Sequence, residues 1–229
     1  MWLGFGLCHQ LPERSFFGGG LQVPVCARDE GIYVGFVAAL LLVAFLERGG
    51  RRSSGPPPWW VLVTLVGFIS VMALDGLTSY AGLRETNNEI RLLTGIMAGV
   101  AISIFTIPLV NGQLWRYPGR GRILGKPWEF AALLGVMAAT YVAVIWVFPL
   151  LGVLHPVIVA VCILVTFSTV LLVIVCLVPP FEQKADRLRD AWLPISIALV
   201  AAIVLLALAA VLRTYLLRLV GLESQIPSR

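Results

Sequence analysis

Charge is scarce in this chain. Only 13% of its 229 residues are Asp, Glu, Lys or Arg, against 59% hydrophobic. Soluble domains carry about 25% charged residues, so a water-soluble fold is excluded, and the mean hydropathy of +0.93 agrees. The apolar runs are long and do not alternate, which excludes a β-barrel and leaves helices as the spanning structure. A basic n-region ahead of the first apolar residues is missing from MWLGFGLCHQ, so no cleavable signal peptide is expected. No soluble domain remains once the apolar runs are set aside. There is no CxxC pair, no GxxxxGK[ST] phosphate loop and no evident internal repeat. The net charge of +5 is low for a nucleic-acid binder and suits the loop charge of a membrane protein.

What is present is an all-α pattern: a polytopic transmembrane helix bundle with an irregular N-terminal cap. Six apolar runs approach the roughly 20 residues a bilayer requires. They are Gly31–Leu46, Trp59–Ala73, Ile90–Val110, Trp128–Leu151, Val153–Val178 and Ala191–Leu217, the first two short enough to extend into their flanks. The organisation read from this is a cap over 1–30, a bundle over 31–217 and a short tail over 218–229. Basic residues fall in alternate loops: Arg48, Arg51 and Arg52, then Arg116, Arg120, Arg122 and Lys126, then Lys184, Arg187 and Arg189. The charge bias makes these loops cytoplasmic and the N-terminus extracytoplasmic in a multi-pass cell-membrane protein. Arg213, Arg218 and Arg229 run against that bias. The opposite face receives the N-terminal segment, the turn from Asp75 to Arg91 and the His155 turn.

Two stretches on that face carry chemistry. Residues 1–30 are too broken by Pro12, Gly18–Gly20 and Pro24 to span, and too apolar for a free tail. They read as a lid or re-entrant segment holding Cys8, His9, Cys26 and Asp29. Thiolate, imidazole and carboxylate are all zinc ligands. Sixteen residues separate His9 from Cys26, which matches no standard zinc pattern. A Cys8–Cys26 disulfide, natural on an oxidising face, competes with metal, as does a pair of structural thiols. Asp29 and Glu30 precede the first span, where carboxylates also serve as helix N-terminal groups. Cys162 and Cys176 read as small apolar core residues.

The second stretch is Met72–Gly95. Ionisable residues at the lip of a span mark functional sites by default. Thr86 to Glu89 matches a capping box, starting the third span at Asn87. Asn87, Arg91 and Thr94 then form one inward stripe. Either Asp75 and Arg91 form an ion pair pinning two spans, or Arg84 and Arg91 clamp an anion with help from Asn87, Asn88 and Thr94 while Asp75 handles a proton. The loop RGGRRSSGPPP reads as a flexible connector, Asn111–Lys126 as a topogenic loop, and Arg213 as a snorkelling residue.

Several motifs now add up to a resemblance. They are Cys8-His9-Gln10, Pro12-Glu13-Arg14-Ser15-Phe16, Pro24-Val25-Cys26-Ala27-Arg28-Asp29 and Gly31-Ile32-Tyr33-x-Gly35-Phe36. Downstream come Asp75-Gly76-x-Thr78, Gly82-x-Arg84 and Asn88-x-x-Arg91-x-x-Thr94-Gly95. Together they resemble the DUF2085 family of predicted membrane proteins in bacteria and archaea. The resemblance covers about the first hundred residues; the rest fits only as apolar helices. It implies a site map without a reaction. The family's CARC-like segment often has Cys where this chain has Asp29, which implies one zinc-ligand type exchanged for another.

Three functions follow as expectations. The first is an intramembrane enzyme with zinc on Cys8, His9, Cys26 and Asp29, acting on an anionic amphiphile such as a lipid or isoprenoid phosphate. The second is an anion or ion transporter gated by Asp75 and Arg91. The third is a non-catalytic scaffold or sensor with a Cys8–Cys26 disulfide. The bilayer is the one partner the composition itself requires.

Overall fold

The computed structural model describes residues 2–48, 52–83 and 86–221. A helical turn, α1 (Trp2–Phe5), and a 3-10 turn (Pro12–Arg14) lead into a small hairpin of β1 (Phe17–Gly18) and β2 (Leu21–Gln22). Six long helices follow: α2 (Ala27–Leu46), α3 (Trp59–Tyr80), α4 (Asn88–Leu114), α5 (Pro127–Val142), α6 (Leu154–Cys176) and α7 (Trp192–Leu219). Helix α5 runs on through a π turn and a 3-10 turn to Leu151, and all six stretches are long and apolar enough to cross a membrane. The short first two spans of the sequence extend as expected, by four residues at the start of α2 and seven at the end of α3. Of the 218–229 tail, Arg218 and Leu219 still belong to α7, and 222–229 lie outside the described residues.

Helix α4 is the centre of the bundle: 61% of its apolar window is buried, against 17% for α3. It packs on α2 through two small-residue pairs, Gly31 and Gly35 facing Gly95 and Gly99. A Cβ on Gly95 would sit 2.1 Å from the Arg28 carbonyl oxygen, and one on Gly99 2.0 Å from that of Ile32. Helix association in a membrane has no hydrophobic drive between apolar faces, so close backbone approach at small residues supplies the packing. That approach sets the start of α2 beside the start of α4.

At the far end of these helices the basic loops meet. β3 (Ser53–Gly55) pairs in parallel with β4 (Gly119–Arg122), so the stretch read as a flexible connector is, over these residues, hydrogen-bonded backbone. Glu47 accepts from the Ser53 amide at 2.8 Å and from Asn111 Nδ2 at 3.1 Å. Arg52 lies 3.4 Å over the Trp115 ring. Cys162 and Cys176 are buried in apolar surroundings, as the sequence implies.

At the opposite end, residues 4–26 fold back over the helix ends. Val23 and Val25 are fully buried and Phe5 nearly so. Gly18 and Gly19 of the hairpin press on Gly152, Val153 and His155 at the start of α6. Arg213 turns inward instead of snorkelling: it donates to the Phe5 and Cys8 carbonyls and lies over the Phe5 ring, tying α7 to the cap.

Candidate functional site

The cap and the adjoining ends of α2, α3 and α4 enclose a pocket of about 270 Å³. On one side Cys8 comes from the loop after α1, Cys26 from the residue before α2, and Asp29 from the first turn of α2. Their three donor atoms lie within 4.8 Å of one another. Both cysteines are free thiols. Arg14, Arg28 and Arg91 line the remaining wall with His9, Ser79 and Tyr80.

The two sulfurs behave as a unit. A hydrogen bond from the Cys26 thiol draws Cys8 down from 9.0 to about 7, against burial and the Asp29 carboxylate beside it. The same bond, with burial and the Asp29 charge, holds Cys26 far above the ordinary thiol range. The two thiols therefore titrate together, Cys8 drawn downward and Cys26 upward by the bond between them.

His9 does not join this cluster. Consecutive side chains on an irregular chain diverge, and with Cys8 turned toward Cys26 the imidazole stands exposed on the pocket wall. The four-ligand set read from the sequence is thus three donors and a neighbouring His. Glu30 lies in the first turn of α2, as expected, but its side chain turns to α6. Its Oε1 lies 2.6 Å from His155 Nε2, both side chains fully buried. His155 is therefore one half of a carboxylate–imidazole pair joining α2 to α6.

The cationic side also differs from expectation. The salt-bridge partner of Asp75 is Arg28, at 2.5 Å, and not Arg91. Asp75 Oδ1 accepts from Thr86 at 3.1 Å, and Oδ2 also from Thr94 at 3.4 Å. With both oxygens engaged, Asp75 holds Arg28 in place. The capping box is replaced by a simpler cap: Asn87 Oδ1 accepts from the Ile90 amide at 2.8 Å, which frees Thr86 to reach Asp75. Asn87 is exposed and away from the pocket; Asn88 donates to the Glu13 carbonyl and accepts from Arg91, tying the cap to α4. Thr94 contacts Asp75 and not the pocket. Arg84 lies outside the described residues.

Arg91 is nearly buried and lies within electrostatic reach of both Arg14 and Arg28. Arg14 and Arg91 have no carboxylate partner among the described residues. Arg28 Nε is buried with no hydrogen-bond partner. Arg14 and Arg28 sat inside the motifs PERSF and CARD without a role. The signal that could have found Arg28 is a guanidinium in the first turn of an apolar span, which requires a partner at membrane depth.

Residues 8–105 match the family described as "Predicted membrane protein (DUF2085)". The chain is 37% identical over 110 residues to an uncharacterized protein of Methanocaldococcus jannaschii, covering 48% of this chain and 67% of that one. It is 37% identical over 100 residues to an uncharacterized protein of Methanothermobacter thermautotrophicus, covering 44% and 84% respectively. No solved structure matches. The matched region begins at Cys8 and contains every residue named above on the pocket wall.

Proposed function

The chain belongs to the DUF2085 family of predicted membrane proteins, and from that premise we propose that its cap pocket is a zinc-dependent site for hydrolysing a phosphate-bearing amphiphile at the outer membrane face. One observation carries the reading: three soft and hard metal donors cluster on the wall of a pocket whose other wall presents three arginines.

The donor chemistry fits zinc. Two sulfurs and a carboxylate are zinc ligands, and three protein ligands are the number found where the fourth position is left to water or substrate. Cys8, Cys26 and Asp29 would hold the ion, which when bound polarises a phosphate oxygen and acidifies a bound water. Arg14 and Arg91 bind the anion, and the unpartnered Arg28 Nε is a further donor for it. Asp75, braced by Thr86 and Thr94, keeps Arg28 in place. His9, on the pocket wall, is the group available to pass a proton at an imidazole nitrogen. In the hydrolysis, water adds to phosphorus, the bond from phosphorus to the carrier oxygen breaks, and the carrier leaves as an alcohol with a proton. The outward orientation rests on the Lys/Arg bias of the loops gathered at the other end.

Elemental analysis of detergent-purified protein, wild type beside Cys26→Ser, tests this. About one zinc per chain, lost in the variant, is expected. Absence of metal from both, with a Cys8–Cys26 disulfide by mass spectrometry, ends the metalloenzyme reading in favour of a disulfide-held cap.

A further inference from the structure

The pocket wall formed by α3 has a second side. A groove of about 380 Å³ lies between α3 and α4, with Val71, Leu74, Leu83 and Ile90 as apolar walls and Asp75 and Thr94 among its lining. Asp75 lines the groove and touches Arg28, which lines the cap pocket, so one ion pair belongs to the linings of both spaces. Thr78 lines the groove, and the next two residues, Ser79 and Tyr80, line the pocket.

The two spaces differ in chemistry. The pocket is lined by charged groups, three arginines among them, whereas the groove surface is almost wholly apolar and, Leu83 aside, lies along α3 and α4. Its α3 wall belongs to the least buried helix among those packed around α4, and Val71 and Leu74 are 44% and 61% exposed. On a membrane-crossing helix that exposed side meets hydrocarbon. From Tyr80 to Val71 the helix rises about 13 Å, a length that suits an alkyl chain.

We propose that the groove receives the hydrocarbon chain of the same anionic amphiphile whose head the arginines hold, and that the molecule enters sideways from the bilayer between α3 and α4. This rests on the anion-binding reading of the pocket. Charge complementarity selects the occupant. A free phosphate would leave the groove unused, and a neutral lipid would leave Arg14 and Arg91 without a counterion. A chain moving from bilayer to groove gains little by burial, because lipid is as apolar as the groove. Discrimination must therefore come from the head.

The test uses the full chain in zwitterionic nanodiscs with two photoreactive probes. One is dodecyl phosphate with a diazirine at its tail end, and the other is the matching dodecyl alcohol. Crosslinked residues are mapped by mass spectrometry. The phosphate probe is expected to label Val71, Leu74 and Ile90 at least about tenfold more than the alcohol, the factor one charge-assisted contact supplies. Leu74→Trp should abolish that labelling, while Val66→Trp, on the same helix outside the groove, should retain it. Arg91→Gln should reduce it to the alcohol level. Groove labelling that is equal for both probes and indifferent to Arg91→Gln overturns the anion reading, and this inference with it. Arg91-dependent labelling of Leu7 and Leu11 in the pocket, with none in the groove, keeps the anion reading and overturns the groove alone. Labelling spread evenly over α7 residues such as Val211 overturns both.

Discussion

Arg28 and Asp75 join at 2.5 Å across 47 residues of sequence, the first turn of α2 to the last turns of α3. Their side chains are only 12% and 5% exposed. Removing one partner of such a pair strands the other charge, at a cost on the order of 3 kcal/mol. Asp75→Ala should therefore lower the thermal unfolding midpoint in detergent by several degrees. Arg28→Met combined with Asp75→Leu should recover most of the loss. A double variant no more stable than Asp75→Ala would show that the pair is not what the site depends on for stability.

The cluster geometry separates Cys8 from its neighbour. His9→Ala should keep bound zinc at the wild-type stoichiometry, whereas Cys8→Ser and Asp29→Ala should lower zinc affinity by at least about tenfold. Competition with a chromophoric chelator measures this. Equal losses for His9→Ala and Cys8→Ser would restore the four-ligand set read from the sequence.

The bond between the two thiols gives a pH signature. In chelator-treated protein, alkylation of Cys8 by iodoacetamide should follow thiolate fraction, with a midpoint at about 7. Below the midpoint the rate falls about tenfold per pH unit, because the neutral thiol does not react. Cys26→Ala removes the donor and should move the midpoint upward, toward the 9.0 of an ordinary thiol. Zinc affinity should fall on the same acid side, since protons compete for the sulfur. A midpoint unmoved by Cys26→Ala would contradict the hydrogen bond between the thiols.

Glu30 and His155 are both fully buried, and each keeps one polar atom without a partner. His155→Leu leaves a carboxylate alone in the apolar bundle and should cut folded yield sharply, by a stability loss of roughly 3–5 kcal/mol. Adding Glu30→Leu should restore yield in part, because it removes the orphaned group. Size-exclusion profiles of fluorescently tagged variants read both effects.

The approach of α2 to α4 predicts a contrast among glycines. Gly95→Val forces a side chain against the Arg28 carbonyl and should destabilise by about 1–3 kcal/mol or more. Gly67→Ala and Gly135→Ala meet nothing within 4 Å. They should be neutral or stabilise by up to about 1 kcal/mol through helix propensity. Thermal scans of the three variants in one detergent make the comparison.

Six helices, their order and the broken cap were legible in the chain itself. Span length and the shortage of charge are local properties, and a bilayer leaves helices as the remaining solution. The cluster of Cys8, Cys26 and Asp29 could also be suspected, since thiols and a carboxylate near a predicted membrane face are unusual by type alone. Which groups meet was not legible. One reading of the sequence pairs Asp75 with Arg91, an arginine close in the chain, yet the packing of α2 on α4 brings Arg28 to the carboxylate instead. That contact depends on Gly95 and Gly99 having no side chain where the Arg28 and Ile32 carbonyls arrive, a fact about two surfaces together. Glu30 and His155, 125 residues apart, meet through another helix contact, that of α2 with α6. Residue type and spacing determine what a helix can bury; the choice of partner for a buried charge belongs to the packing, because a charge in an apolar bundle takes whichever counter-group the packed helices bring within reach.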